Sequence, residues 1–264
     1  MSDHVWQLLG GFLAAGVIAL AAWRFRLLAP SGALAALVLG TVVFGVGGIA
    51  WSLPLITFFV LSSLLSKGTR GVRRRRAAFD AVFEKGSRRD AGQVLANGGV
   101  AGALALASLF TPDPILYVAY LGSLAAAAAD TWGTEIGVLS RGVVVSVARL
   151  RAVEPGSSGG ISAVGTLGAA GGALSVALAA LASPLWTPLL LGVVVVAGLS
   201  GMLADALAGG TIQALYRCPV CGVSTERTIH CDMPTERVRG LAIVGNDLVN
   251  IICCVVGAAV ASFW

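Results

Sequence analysis

Charge is what this sequence has least of. Only 12% of its 264 residues are charged, against roughly 25% in soluble domains, which excludes an ordinary water-soluble globular fold. Long polar stretches are missing too. The two longest, residues 67–92 and 213–239, are too short to fold alone without a metal or a disulfide. The opening Met-Ser-Asp-His has no positive n-region, and no small-residue cleavage site precedes Arg24. The first apolar run therefore reads as a retained span rather than a signal peptide. No Gly-Lys-Ser/Thr closes a glycine-rich loop, which excludes a Walker A sequence, and no strict internal repeat is visible.

What is present is apolar: 57% hydrophobic residues and a mean hydropathy of +0.88. A spanning helix needs about 20 mostly apolar residues. Candidate spans are 5–22, 31–48, 51–66, 93–110, 115–138, 161–182, 187–208 and 240–262, with 31–66 short enough to pack as a helical hairpin. The expectation is a single all-α, polytopic integral membrane domain over 1–264, with about eight helices (six to eight). Gly102, Gly168, Gly171, Gly172, Gly192, Gly198 and Gly201 fall within spans, and small residues let membrane helices pack closely. Spans 4–5 and 6–7 each run helix, Pro-containing turn, helix ending in an aspartate (Asp130, Asp205), which hints at a duplicated hairpin.

The basic residues fall in alternate connections. Arg24 and Arg26, the cluster from Lys67 to Arg89, Arg141/Arg149/Arg151 and Arg217/Arg227/Arg237/Arg239 account for all of them. Gly47–Ala50, Thr111–Pro114 and Ser183–Pro188 contain none. The positive-inside bias then puts every basic connection, including loops 67–92 and 213–239, in the cytoplasm and both termini outside. The run Arg73-Arg74-Arg75-Arg76 sits beside the membrane, where it meets anionic headgroups or a phosphorylated substrate; nucleic acid is not an expected partner.

The unusual polar residues gather at the same end. Asp130 and Glu135 approach the end of span 5, Asp205 the end of span 7, and Asn246, Asp247 and Asn250 lie one to three turns into span 8. Lys67 and Arg70 follow span 3, Gln93 and Asn97 open span 4, and Arg88 stands just before them. Ionisable groups in a membrane are costly and mark function. On a helix Asp130 shares a face with Thr134, Thr131 with Glu135, and Asn246 with Asn250. Hard oxygen ligands of this kind suit Mg²⁺, held by one or two carboxylates plus substrate phosphates. The expectation is that Asp130, Asp205 and Asp247 ligate Mg²⁺. Glu135 assists, Lys67, Arg70 and Arg88 neutralise the transferring group, and Asn97, Asn246 and Asn250 orient phosphates. The segment Glu154-Pro-Gly156-Ser157-Ser158-Gly159-Gly160-Ile-Ser162 runs into a helix, and a Gly/Ser loop at a helix N-terminus can cradle a phosphate. A one-sided cluster suits an enzyme drawing a soluble substrate from the cytoplasm; a transporter would carry polar groups nearer the midplane.

Cys218-Pro-Val-Cys221 followed by His230-Cys231 has the spacing of a structural zinc site, which would fold a loop that has no core of its own. Free or redox-active thiols are the alternative, because a cytoplasmic location disfavours a stable disulfide. Cys253 and Cys254 lie in a span and read as packing residues.

The segments Gln93–Gly98, Ala129–Gly137, Gly156–Ser162, Gly201–Asp205 and Asn246–Asn250 resemble the membrane family, formerly of unknown function, that includes plant phytyl-phosphate kinase. The resemblance runs from about residue 30 to the C-terminus. The Asp130 and Asn246 motifs are its most specific parts. It implies an enzyme at the cytoplasmic face of a membrane, by expectation the bacterial plasma membrane. A nucleoside triphosphate, CTP ahead of ATP, would phosphorylate a polyprenyl monophosphate to its diphosphate, with membrane lipid around the isoprenoid tail. A lipid-phosphate cytidylyltransferase, or a transporter of a lipid or small anion, is the alternative.

Overall fold

The computed structural model describes residues 2–75, 88–140 and 142–263. Part of the basic run, Arg76 included, and Arg141 lie outside the described residues. Among the described residues seven α-helices follow one another: α1 Ser2–Arg24, α2 Pro30–Arg75, α3 Ala91–Ala107, α4 Pro114–Gly137, α5 Ala163–Ala179, α6 Pro188–Thr211 and α7 Asn246–Ala261. Among the described residues five (α1, α2, α4, α5 with the 3₁₀ turn after it, and α6) are long and apolar enough to cross a membrane, while α3 and α7 are shorter.

Seven among the described residues falls within the expected six to eight, one below eight because two expected spans run on as one element. The runs 31–48 and 51–66 are the arms of one element, α2, which breaks at Gly48 with φ 59 and ψ −146. Only glycine adopts such a conformation freely, so the chain turns there without an intervening loop. Leu39 and Phe44 on one arm and Leu55 and Phe58 on the other line the same apolar cavity; the element folds back on itself. Pro54 stands just beyond the break. Proline has no N–H, which orphans the carbonyl four residues earlier, and Tyr117 Oη donates to that Ala50 carbonyl at 3.0 Å. Tyr120 Oη donates to the carbonyl of Trp51, whose ring lies 5.0 and 4.8 Å from the two tyrosine rings.

Local sequence explains the helix ends. Asp90 and Gln93 form a capping box before α3, Gln93 N donating to Asp90 Oδ1 at 2.9 Å and Asp90 N to Gln93 Oε1 at 3.2 Å. The two turns at the far end share one device: a capping side chain (Asp113, Thr187) and then proline at the first helical position. Proline is tolerated there because that N–H has no helical acceptor. Asn246 is the first residue of α7, with Gly245 as its cap, so the polar triplet lies in the opening turns rather than deep in a span.

Helix α4 is the centre of the bundle. It packs against α2, α3, α5, α6 and α7, and Tyr117 to Ala129 are all buried. Side chains this small permit backbone-to-backbone approach. A Cβ on Gly122 would stand 2.4 Å from the carbonyl oxygen of Gly257 on α7, and one on Gly198 of α6 would meet Ala125 O at 3.0 Å.

The molecule is not all-α. The connection that carries the Gly/Ser segment and the expected Cys/His loop 213–239 each hold small antiparallel sheets. In the first, β1 Val144–Ser146 lies between β2 Arg151–Val153 and β3 Gly160–Ile161. In the second, β4 Leu215–Arg217 lies between β5 Ser224–Thr225 and β8 Glu236–Arg239, and β6 Ile229–His230 pairs with β7 Met233–Pro234. Strands of two to four residues leave too little alternation for a period-two signal to register.

Candidate functional site

The ends of the helices that carry the basic residues enclose a polar cavity of about 720 Å³, within the range of ligand sites. Each wall comes from a different element. The last turns of α2 bring Ser63, Ser66, Lys67 and Arg70, so these two cations belong to a helix and not to the loop. The first turns of α3 bring Gln93 and Asn97; the end of α4 brings Asp130, Thr131, Thr134 and Glu135. The Gly/Ser segment supplies Gly156 to Ser162, the end of α6 supplies Asp205, and the start of α7 supplies Asn246 and Asn250.

Three expected site residues do not line it: Arg88, Glu154 and Asp247. Arg88 and Glu154 are exposed. Asp247 follows Asn246 by about 100° around the helix, so when Asn246 and Asn250 face the cavity it does not. It occupies the first turn of α7, where the amide end of a helix favours a carboxylate. The expected triad is thus not a single lining group.

The carboxylates that do gather are others in part. Asp130 and Asp205 are close enough to share a hydrogen bond, and Glu226, from the Cys/His segment, acts electrostatically on Asp205. Asp205 Oδ2 is buried without a hydrogen-bond partner among the described residues. Glu226 is buried and accepts from Ser158 Oγ at 2.9 Å. Glu135 is buried at the other side of the cavity, with Thr69 Oγ1 donating to its Oε2.

The sequence reading missed Arg89, Gln213, Glu226 and Arg227, all of which line the cavity. Arg89 is one position from the expected Arg88. Its backbone is tied to the α1–α2 connection, Arg89 N donating to Leu27 O at 3.1 Å and Ala29 N to Arg89 O at 3.0 Å. Its guanidinium lies 5.6 Å from the centre of the Phe58 ring. Burial lowers its pKa from the ordinary arginine value, and the nearby Glu135 pushes it back up. Gln213 is buried and its Nε2 has no partner among the described residues. One signal was available for Arg89: it immediately precedes the Asp90/Gln93 capping box, and so sits at a fixed helix entrance. Glu226 and Arg227 arrive through non-local folding and left no local signal.

The Gly/Ser segment is more structured than a flexible cradle. Gly160 N donates to Ser157 O and Ser157 N to Glu154 O. Ser162 Oγ caps α5 by accepting from Gly165 N at 3.1 Å. Gly159 takes φ +81, and a Cβ there would stand 2.5 Å from Ala206 O on α6. The loop is therefore seated on α6 one residue past Asp205. The helix end below it is tied down as well, Arg239 Nη2 donating to Gly209 O at 2.6 Å.

A second, apolar cavity of about 90 Å³ lies between α1, the two arms of α2 and α3. Arg89, Gln93 and Asn97 line both cavities.

Cys218, Cys221, His230 and Cys231 also come together. Their ligand atoms all lie within 4.8 Å of one another. Amides of the Cys218–Cys221 turn, chiefly that of Cys221, pull the Cys218 thiol down to about 6, whereas the neighbouring Cys221 side chain pushes Cys231 up to about 11. All five cysteines are free, with Cys253 and Cys254 buried in α7.

A bundle of apolar helices closed at one end by a polar chamber defines a polytopic membrane protein. Residues 13–258 match the family described as Integral membrane protein DUF92, and the chain belongs to that family. It is 27% identical to Protein PGR of Arabidopsis thaliana over 93% of this chain and 92% of that protein. It is 28% identical to an uncharacterized membrane protein of Methanocaldococcus jannaschii, over 92% of this chain and 88% of the other. No solved structure matches the chain.

Proposed function

We propose that this protein is a nucleotide-dependent kinase that phosphorylates a prenyl monophosphate, of phytyl type, to its diphosphate, with CTP as donor. The observation that carries the reading is the junction of the two cavities at Arg89, Gln93 and Asn97. A substrate with a charged head and an apolar tail fits such a junction, its phosphate beside the guanidinium and its tail in the apolar cleft. That cleft, at about 90 Å³, is far smaller than a whole-ligand site of roughly 300–1,000 Å³. It takes only the head end of the tail, and the remainder runs between lipid-facing helices. The larger chamber has room for a nucleotide. The family resemblance in the Asp130 and Asn246 motifs supports the same chemistry.

The reaction asks little covalent chemistry of the protein. An oxygen of the lipid phosphate, already anionic, bonds to the terminal phosphorus of the nucleotide; the bond from that phosphorus to the bridging oxygen breaks, and CDP leaves with the electron pair. Positioning and charge neutralisation carry such transfers. Arg89 and Asn97 hold the lipid phosphate, and Lys67 and Arg70 face the charge that spreads over the transferred group. Asn246 and Asn250 orient the nucleotide phosphates. The paired Asp130 and Asp205, with an orphaned buried carboxylate oxygen, suit Mg²⁺, which would neutralise charge on the nucleotide. Glu135, held by Thr69, counterbalances Arg89. The basic residues at these helix ends support a cytoplasmic side for this chamber, in a bacterial plasma membrane.

The test is product identification after purified protein is incubated with prenyl monophosphates and each nucleoside triphosphate. Prenyl diphosphate and CDP are expected. Pyrophosphate with a CDP-lipid would instead make it a cytidylyltransferase, and nucleotide-independent flux in liposomes a transporter.

A further inference from the structure

The segment from β4 to β8 delivers Glu226 and Arg227 to the cavity wall, yet it owns almost no apolar interior. Val220, Ile229, Met233 and Val238 are all more than half or about half exposed, and its buried side chains are few: Cys218, Thr225 and Glu226. Strands of two to four residues do not hold such a segment by themselves. It also carries backbone strain. Cys231 and Asp232 adopt φ of 52 and 58 in succession, a left-handed conformation that non-glycine residues keep only when their surroundings enforce it.

The four ligand-type side chains are placed to supply that enforcement. His230 Nδ1 lies 3.5 Å from Cys221 Sγ and 3.3 Å from Cys231 Sγ, and Cys218 Sγ is 3.7 Å from the His230 carbonyl oxygen. Tetrahedral zinc with bonds of about 2.3 Å to sulfur and about 2.0 Å to nitrogen sets ligand atoms roughly 3.5–3.8 Å apart; the two His230–thiol distances match this, and all four ligand atoms lie within 4.8 Å of one another. The turn Cys218–Gly222 is shaped for it: Gly222 N donates to Cys218 O at 2.9 Å, and Cys218 N to Val223 O at 3.0 Å. Glu226 and Arg227 lie on the stretch between the second and third ligands. That stretch is also tied by Thr235, whose Oγ1 donates to Arg227 O at 2.7 Å and whose N donates to Thr228 O at 3.0 Å, and by Ser158 Oγ donating to Glu226 at 2.9 Å.

We propose that Cys218, Cys221, His230 and Cys231 bind one structural Zn²⁺, and that this ion holds Glu226 and Arg227 as positioning residues in the wall of the polar cavity. The bundle and the chamber floor, built by α2 to α7, stand without the ion; the wall at Glu226 does not. The proposal does not depend on the phosphotransfer reading, because neither of its readouts needs a substrate.

The experiment uses the full chain, purified in detergent under reducing conditions without chelator. Metal analysis should give about one zinc per chain, and Cys218→Ser with Cys221→Ser should remove it. On the wild type, a zinc-selective chelator should raise amide deuterium uptake across 218–231 and open Arg227 to trypsin, while α4 and α6 keep their protection. Returning zinc should reverse both changes. Zinc-free wild-type protein, or a disulfide among these thiols, would overturn the metal site. Zinc that can be removed with no change in uptake at 224–228 would overturn its positioning role.

Discussion

Replacing Arg89 by Gln tests the junction of the two cavities most directly. Its guanidinium is the cation shared by both chambers, and two of its N–H groups can meet a phosphate side by side. A hydrogen bond to a charged group is worth about 1.5–3 kcal/mol, a neutral one about 0.5–1.5. Gln keeps a neutral donor, so the loss over two bonds is about 2–3 kcal/mol. At about 1.4 kcal/mol per decade this is roughly 30–150-fold in kcat/KM. The loss should be read against the prenyl monophosphate at saturating nucleotide, with the KM for nucleotide nearly unchanged. Arg88→Gln is the internal control. Arg88 is exposed and lines neither cavity, so its variant should stay within about two-fold, as surface changes usually do. Arg89→Gln also gives up the contact with Phe58, so the melting temperature is measured alongside. Arg89→Lys keeps the charge and loses the side-by-side geometry, and should fall between. An Arg89→Gln enzyme within three-fold of wild type, or an Arg88→Gln enzyme equally impaired, would refute the placement of the lipid phosphate.

Other outcomes follow from the same geometry. Asp130→Asn and Asp205→Asn should each lower kcat by about 10²–10³-fold without loss of fold, and EDTA should abolish activity until Mg²⁺ is returned; Asp247→Asn should cost much less, and equal damage there would contradict the cavity wall described above. Gly159→Ala places a methyl 2.5 Å from Ala206 O at φ +81, a conformation costing about 1–2 kcal/mol plus about 1–3 for overpacking. Activity should fall at least ten-fold with raised deuterium uptake over 154–162, and an unchanged enzyme would show that the Gly/Ser segment is not seated on α6. Gly122→Val, driven against Gly257 O, should lower the melting temperature by several degrees, whereas Gly192→Val, with nothing within 4 Å, should leave it unchanged; similar melting curves for the two would argue against close α4–α7 packing.

Much of this was legible because membranes simplify sequence. Apolar length alone located α4 to within one residue at each end, and Pro114 and Pro188 marked two helix starts. Most of the polar residues flagged beforehand reach one chamber, because helix ends with basic flanks must lie at the same side of a bundle. The misses have separate causes. The hairpin expected over 31–66 turns at Gly48, inside the expected Gly47–Ala50 connection, but two adjoining glycines do not show which of them turns. Asp247 was expected beside Asn246, although a single step around a helix is enough to take a side chain off a face. Arg89 was marked locally only by the capping box that follows it, and its placement rests on the distant Leu28–Arg89 pairing; Glu226 depends on the Ser158–Glu226 hydrogen bond, and no local pattern encodes it.

The alanine-walled course of α4 bears on how the molecule moves. Its neighbours sit at backbone contact distance along nearly its whole length, so sliding or rotating it would drive carbonyl oxygens into Cβ atoms. Close-packed interiors of this kind switch between discrete arrangements or stay put. Asp130 thus rides on the stiffest element of the fold. The two small sheets are held instead by a few strand hydrogen bonds and by side chains that reach across the chamber. On the proposed function, opening for nucleotide entry and product exit would fall to them, on the microsecond-to-millisecond scale of loop motion, and a slow step in turnover would be found in those segments rather than between the helices.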